Sequence, residues 1–151
     1  KLCILIYRKL CIVIYQLHFI DQSRIRELMK LHRGRFDFLK LLNLCKEINF
    51  NYAYGNYYSV AMLTRALIDH IPPIFECKSF SEVANNYKSN GNVRSFQKSM
   101  NHLDVSLRSI GDSVIHSQIR SSEIEPTETQ INFKNDLDLL LGEIVRVMRT
   151  V

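Results

Sequence analysis

Apolar residues recur at alternating spacings of three and four through most of this chain, the period of helices that bury one face. The longest run is Val93, Phe96, Met100, Leu103, Leu107, Ile110 and Val114. It predicts a central helix over residues 93–120 with those side chains in the core. Phe38, Leu41, Cys45 and Ile48 mark a helix over residues 36–49, and Val60, Leu63, Leu67 and Ile71 one over residues 57–71. Pro72 and Pro73 stop the latter, because they lack amide donors and disfavour α geometry before them. Phe133, Leu137, Leu140, Ile144, Val147 and Val151 mark the final helix, with Asp136 and Asp138 early and Arg146 and Arg149 late, as the helix dipole favours.

Shorter elements fit between these. Asp21 can cap a short helix bearing Ile25 and Leu28, which the run His32, Arg33, Gly34 and Arg35 then breaks. Residues 51–56 read as a turn, with Gly55 free to take positive φ. Ser79 and Glu82 form a capping box for a helix reaching about residue 87, closed by residues 88–91. After residue 120 comes a polar loop. The expected fold is all-α: a helical bundle of four main helices plus short helices.

Residues 1–20 follow a different pattern, KLCILIYR followed by KLCIVIYQ. Their β-branched and aromatic residues favour extended structure, whereas a helical context can impose a helix. We expect a helix packed on the bundle or on a second copy. Lys1, Arg8, Lys9, Gln16 and His18 interrupt the apolar run, so no membrane span is expected, and no small-residue cleavage site follows it. The chain thus divides into residues 1–35, an N-terminal apolar segment and short helix, and residues 36–151, the bundle. It begins with Lys, and we expect it to be the C-terminal part of something longer.

Composition narrows the chemistry. At 151 residues, 46% hydrophobic and 23% charged, the chain suits one folded domain with a sizeable core. A net charge of +5 permits contact with phosphates, but the charge is spread along the chain. Cys3, Cys11, Cys45 and Cys77 are far apart and read as free thiols of a reducing cytoplasm. His18, His32, His70, His102 and His116 include no pair at helical i, i+4 spacing, so no metal site is expected. The glycine-rich phosphate loops and nucleophile elbows of common enzyme classes are absent from the sequence, and no cofactor is expected.

The candidate site lies on the central helix. Arg108, Asp112 and His116 are four residues apart and form one line, on the side away from the apolar stripe. Such a row is ordinarily a solvated face, with Arg108 and Asp112 an intrahelical ion pair worth a few tenths of a kcal/mol. Arg65 and His70 also invite attention, but five residues of helix turn them about 140° apart. Arg65–Asp69 is the ordinary ion pair there, and a buried Arg65 would need a carboxylate such as Asp104 or Asp112.

The segment RSIGDSVIH, with Arg108, Gly111, Asp112 and His116, resembles the Arg-x-x-Gly-Asn-x-x-x-His segment of HEPN-like bacterial domains. The residues NYYSVAMLTRALIDHIPPIF are similar to the earlier helix of those domains. From about residue 36 to 148 the chain also resembles an uncharacterised bacterial domain with Leu-Thr-Arg-Ala-Leu-x-Asp-His-x-Pro-Pro, Glu-Val-Ala-Asn-Asn-Tyr and His-x-x-Ile-Arg segments. Asp112 stands where Asn is commoner, and seven residues separate Arg108 from His116, a wider gap than in the catalytic motif of the superfamily. The resemblance implies a HEPN-like bundle and, from the wider superfamily, metal-independent ribonuclease chemistry.

Two functions are expected from these residues. The first is a helical interaction module, a homodimer in which both the Arg108, Asp112 and His116 row and the apolar N-terminal segment meet a second copy, serving a larger bacterial protein of defence or regulation. The second is RNA cleavage, with His116 as base, Asp112 as orienting group, and Arg108 or Arg120 as the cation on the phosphate. Arg65 is a further candidate phosphate ligand.

Overall fold

The computed structural model describes residues 18–31, 35–88 and 93–150. Expectations for residues 1–17, including Cys3 and Cys11, for the break at His32, Arg33 and Gly34, for the helix stop over residues 89–92 and for the side chain of Val93 lie outside the described residues.

Among the described residues the chain is helical, without strands. Asp21 caps α1 (Gln22–Met29) by accepting from the Ser23 amide at 2.7 Å, and Ile25 and Leu28 face the core. α2 (Leu39–Ala53) starts later than the spacing predicts and runs on into the first half of the expected turn, where Asn49 and Tyr52 are themselves buried. Gly55, at φ 72°, joins it to α3 (Tyr57–His70). The two prolines open a 3₁₀ turn, Pro72–Phe75, closed by Glu76 in the left-handed region. Ser79 Oγ accepts from the Glu82 amide to start α4 (Phe80–Asn86), while Glu82 Oε2 accepts from the Lys78 amide instead of reaching back to Ser79.

The central helix is α5 (Val93–His102), a π-helical turn (Leu103–Leu107) and α6 (Arg108–His116) in direct succession. It stops at His116; the expected continuation to residue 120 is extended chain, starting with Ser117 at ψ 130°. α7 (Lys134–Arg149) closes the bundle.

α2 packs on α3, α3 on α6, α5 on α7, and α1 against both α2 and α7. One core runs through all of them, from Phe19 and Ile20 to Val145. Asn49 ties the entering chain to it: its Oδ1 accepts from the amides of Phe19 and Ile20 (2.9 and 2.7 Å), and its Nδ2 donates to the Ile20 carbonyl (2.8 Å). The buried polar groups of residues 19 and 20 are thereby satisfied where no helix ladder could serve them. At the far side, Arg24 of α1 donates to both carboxylate oxygens of Asp138 on α7 (2.9 and 3.1 Å).

Candidate functional site

The site is shaped by the π turn. The Arg108 amide donates to the Leu103 carbonyl, five residues back, so this turn holds one residue more than an α turn. One extra residue rotates everything after it by about 100°. Upstream, Phe96, Met100, Leu103 and Leu107 are buried as the apolar period predicts; downstream the innermost position is Gly111, while Ile110 and Val114 are only partly buried. The line Arg108–Asp112 turns with it, from the outside toward α3.

There it meets a matching set of charges. Arg65 Nε donates to Asp112 Oδ1 (3.1 Å), and Arg65 Nη1 lies against Asp69 Oδ2. Arg108 Nη2 donates to Asp69 Oδ1 (3.2 Å) and its Nε to Asp104 Oδ1 (3.2 Å). Asp104 Oδ2 accepts from Ser81 Oγ of α4 (2.7 Å). The result is a chain of alternating charges, Asp112, Arg65, Asp69, Arg108 and Asp104, linking α3, α4, the π turn and α6. Its two ends differ: the Asp104 side chain is 12% exposed and that of Asp112 is 45% exposed, with Arg65 beside Asp112 at 15%.

Gly111 makes this approach possible. A Cβ there would stand 2.9 Å from Cβ and 3.1 Å from Cγ of Arg65, tighter than side chains normally pack. Glycine leaves room for the Arg65 stem to cross α6 and present its guanidinium to Asp112. The pairing of Arg65 with Asp112 and with Asp69 agrees with two of the partners its sequence position suggests. The intrahelical pair of Arg108 with Asp112 is not formed, because the π turn directs Arg108 back to Asp104 and across to Asp69.

His116 and Arg120 stand apart. Both are exposed, and among the described residues neither side chain takes a hydrogen bond or ion pair. Arg120 contributes to an open groove of about 470 Å³ between the start of α3, the outer side of α6 and the chain after it. Ile110 and Val114 form its apolar floor, Tyr58 one edge, Ile124 a further apolar side chain at 86% exposure, and Arg120, Glu123 and Glu125 its charged groups. Ile119, next to Arg120 in sequence, is 95% exposed.

Other titratable groups serve packing. Glu143, buried in α7, accepts from Tyr87 (2.8 Å) and Arg146 (2.7 Å); burial first, then the carboxylate, pushes the Tyr87 phenol up to about 12. Lys134 donates to the Tyr52 hydroxyl and lies over its ring at 4.2 Å, and Tyr52 donates to Glu128, fastening the chain before α7 to α2. Burial lowers the pKa of His70, and the charge of Lys40 lowers it further. Burial pushes the Cys45 thiol up to about 12, so it stays protonated and inert. Among the described residues no group of His, Cys, Asp or Glu is placed to hold a metal ion, and no helix is long and apolar enough to cross a membrane.

Of the residues marked from the sequence, the fold joins Arg65, Arg108 and Asp112, and leaves His116 and Arg120 exposed at the end of the same helix. The hub position of Asp69 and the role of Ser81 were missed. The i, i+4 spacing of Asp104 and Arg108 was the available signal for the Asp104 pair. Comparison of the chain with family models, with curated proteins and with solved structures finds no match.

Proposed function

We propose that this chain is a helical interaction module that pairs with a second copy of itself in a bacterial defence or regulatory role. The observation that carries it is a contrast within fifteen residues or so of one helix and its exit. Arg108 and Asp112 already have charged partners inside the chain, whereas Ile124 in the groove and Ile119 beside Arg120 offer apolar surface to water, and the side chains of His116 and Arg120 have no partner among the described residues. Apolar side chains grouped in this way and rimmed by polar residues mark contact surfaces. The contact therefore centres on the end of α6 and the chain after it, and the internal charges hold that platform against α3. Light scattering over a concentration series is expected to show a monomer–dimer transition; a monomer at every concentration refutes the reading.

The exposed, unpaired His116 and Arg120 favour one second reading, metal-independent RNA cleavage in the manner of HEPN-like domains. His116 would take the proton of a 2′-hydroxyl, whose oxygen then attacks the adjacent phosphorus and expels the 5′-oxygen. Arg120 would hold the phosphate, since Arg108 is engaged by two carboxylates. Undiminished cleavage by a folded His116→Ala variant sinks it.

A further inference from the structure

We infer that the groove between α3, α6 and the following chain is the seat for Ile119 of a second copy, in a two-fold arrangement that also pairs Arg120 of each copy with Glu125 of the other. This rests on the pairing proposed above and gives it a register.

Three observations converge on it. Ile119 is 95% exposed, so almost its entire side chain is apolar surface in water. It lies next in sequence to Arg120, which lines the groove, yet it does not itself enter the groove. Knob and seat thus belong to one patch, and the knob does not fill its own seat. A two-fold axis through such a patch sets each knob opposite the other copy's seat, the self-complementary condition of an isologous dimer. The floor suits an aliphatic side chain: Ile110, Val114 and Ile124 supply apolar contacts, and the wall along α6 carries the uncharged hydroxyls of Ser109 and Ser113, while the charges of Arg120, Glu123 and Glu125 come from the chain after α6.

The rim carries both signs. Glu123 Oε1 already accepts from the Arg120 amide at 2.7 Å. The Arg120 guanidinium and the carboxylates of Glu123 and Glu125 all line the groove without ion-pair partners among the described residues, and of the two carboxylates Glu125 is the one not already engaged by the Arg120 amide. Opposite charges on one self-facing patch attract across a two-fold axis, and they set which way the copies meet more than how tightly. A polyanion such as RNA would meet the carboxylates of Glu123 and Glu125 at the same rim, which favours a second copy as occupant.

The test is a charge exchange followed by light scattering on the full chain. Ile119→Asp, Arg120→Glu and Glu125→Arg each alter an exposed side chain, and an unchanged helical circular dichroism spectrum verifies folding. Each is expected to weaken dimerisation by about tenfold or more. Arg120→Glu mixed with Glu125→Arg is expected to recover a mixed dimer, because both cross contacts again join opposite signs. Wild-type protein that stays monomeric overturns the pairing reading and this inference with it. Wild-type dimers that survive all three substitutions overturn this inference alone and move the contact elsewhere. Weakened dimers with no recovery on mixing overturn the Arg120–Glu125 register. An intact Ile119→Asp dimer that has lost affinity for a fluorescent oligoribonucleotide assigns the groove to RNA and overturns it as well.

Discussion

Replacing Gly111 by alanine tests how closely α3 and α6 approach. The added methyl would stand 2.9, 3.1 and 3.4 Å from Cβ, Cγ and Cδ of Arg65. Carbon atoms in good contact sit about 3.5–4.0 Å apart, so at Cβ the shortfall is at least about 0.6 Å. That atom is fixed to the backbone of α3 and cannot swing away. Either the helices part, stretching Arg65–Asp112 and Arg108–Asp69 together, or the Arg65 stem leaves its course. Overpacking of this kind costs about 1–3 kcal/mol, and the better helix propensity of alanine offsets about 1 kcal/mol. The net expectation is a loss of about 0–2 kcal/mol. Gly142→Ala is the control: its methyl meets the guanidinium at 3.2 Å, the far end of the long Arg24 side chain, which a few tenths of an ångström of movement clears while Asp138 and Glu27 still hold it, so propensity should dominate and stability hold or rise. Urea unfolding followed by circular dichroism should place Gly111→Ala about 1–3 kcal/mol below Gly142→Ala. If Gly111→Ala equals or exceeds the control, the crossing of Arg65 over α6 is not as close as described.

Asp69→Ala removes the carboxylate shared by Arg65 and Arg108, leaving the mostly buried Arg65 with Asp112 alone; a loss of about 1–3 kcal/mol is expected by the same unfolding assay, and a loss below about 0.5 kcal/mol contradicts a hub role. Asn49→Ala leaves the buried Phe19 and Ile20 amides and the Ile20 carbonyl unpaired, for an expected cost of about 3 kcal/mol and faster proteolytic cleavage near residue 20. His70 contributes a pH dependence with a definite sign. Its folded pKa lies below the ordinary 6.5, so as pH falls through that value the unfolded chain takes up the proton first and stability drops until the folded form also protonates. Unfolding midpoints measured from about pH 7.5 to about pH 5.5 should therefore decline, with a shallower slope in His70→Gln; equal slopes would contradict the burial of this imidazole.

The bundle was legible because its helices, the central one excepted, each keep one apolar period. Leu41, Cys45 and Ile48, or Leu137, Leu140 and Ile144, are buried where spacing puts them. The continuation of α2 was less visible: Asn49 and Tyr52 are polar or amphipathic, and their burial depends on partners far away in sequence, the Phe19–Ile20 backbone and Lys134. The site was misplaced by one residue of phase. Nothing in Leu103 to Leu107 announces a π turn, since its cause is the fit of α5 on α7 and of α6 on α3, two different neighbours that one uninterrupted period cannot serve. Once that residue is counted, Arg108 and Asp112 fall where Arg65 and Asp69 can meet them.

The Asn49 amide has a mechanical consequence. Tension arriving along the backbone through His18 does not pass on to α1 before it reaches three short hydrogen bonds around Phe19 and Ile20, all held by one side chain in the latter half of α2. Those bonds are loaded together, and α2 is backed by both α1 and α3. A pull on the preceding chain is therefore delivered to the interior of the bundle and not to its rim. Forced unfolding from this end is a matter of rate more than of equilibrium, and Asn49→Ala is expected to lower the force at which the bundle gives way.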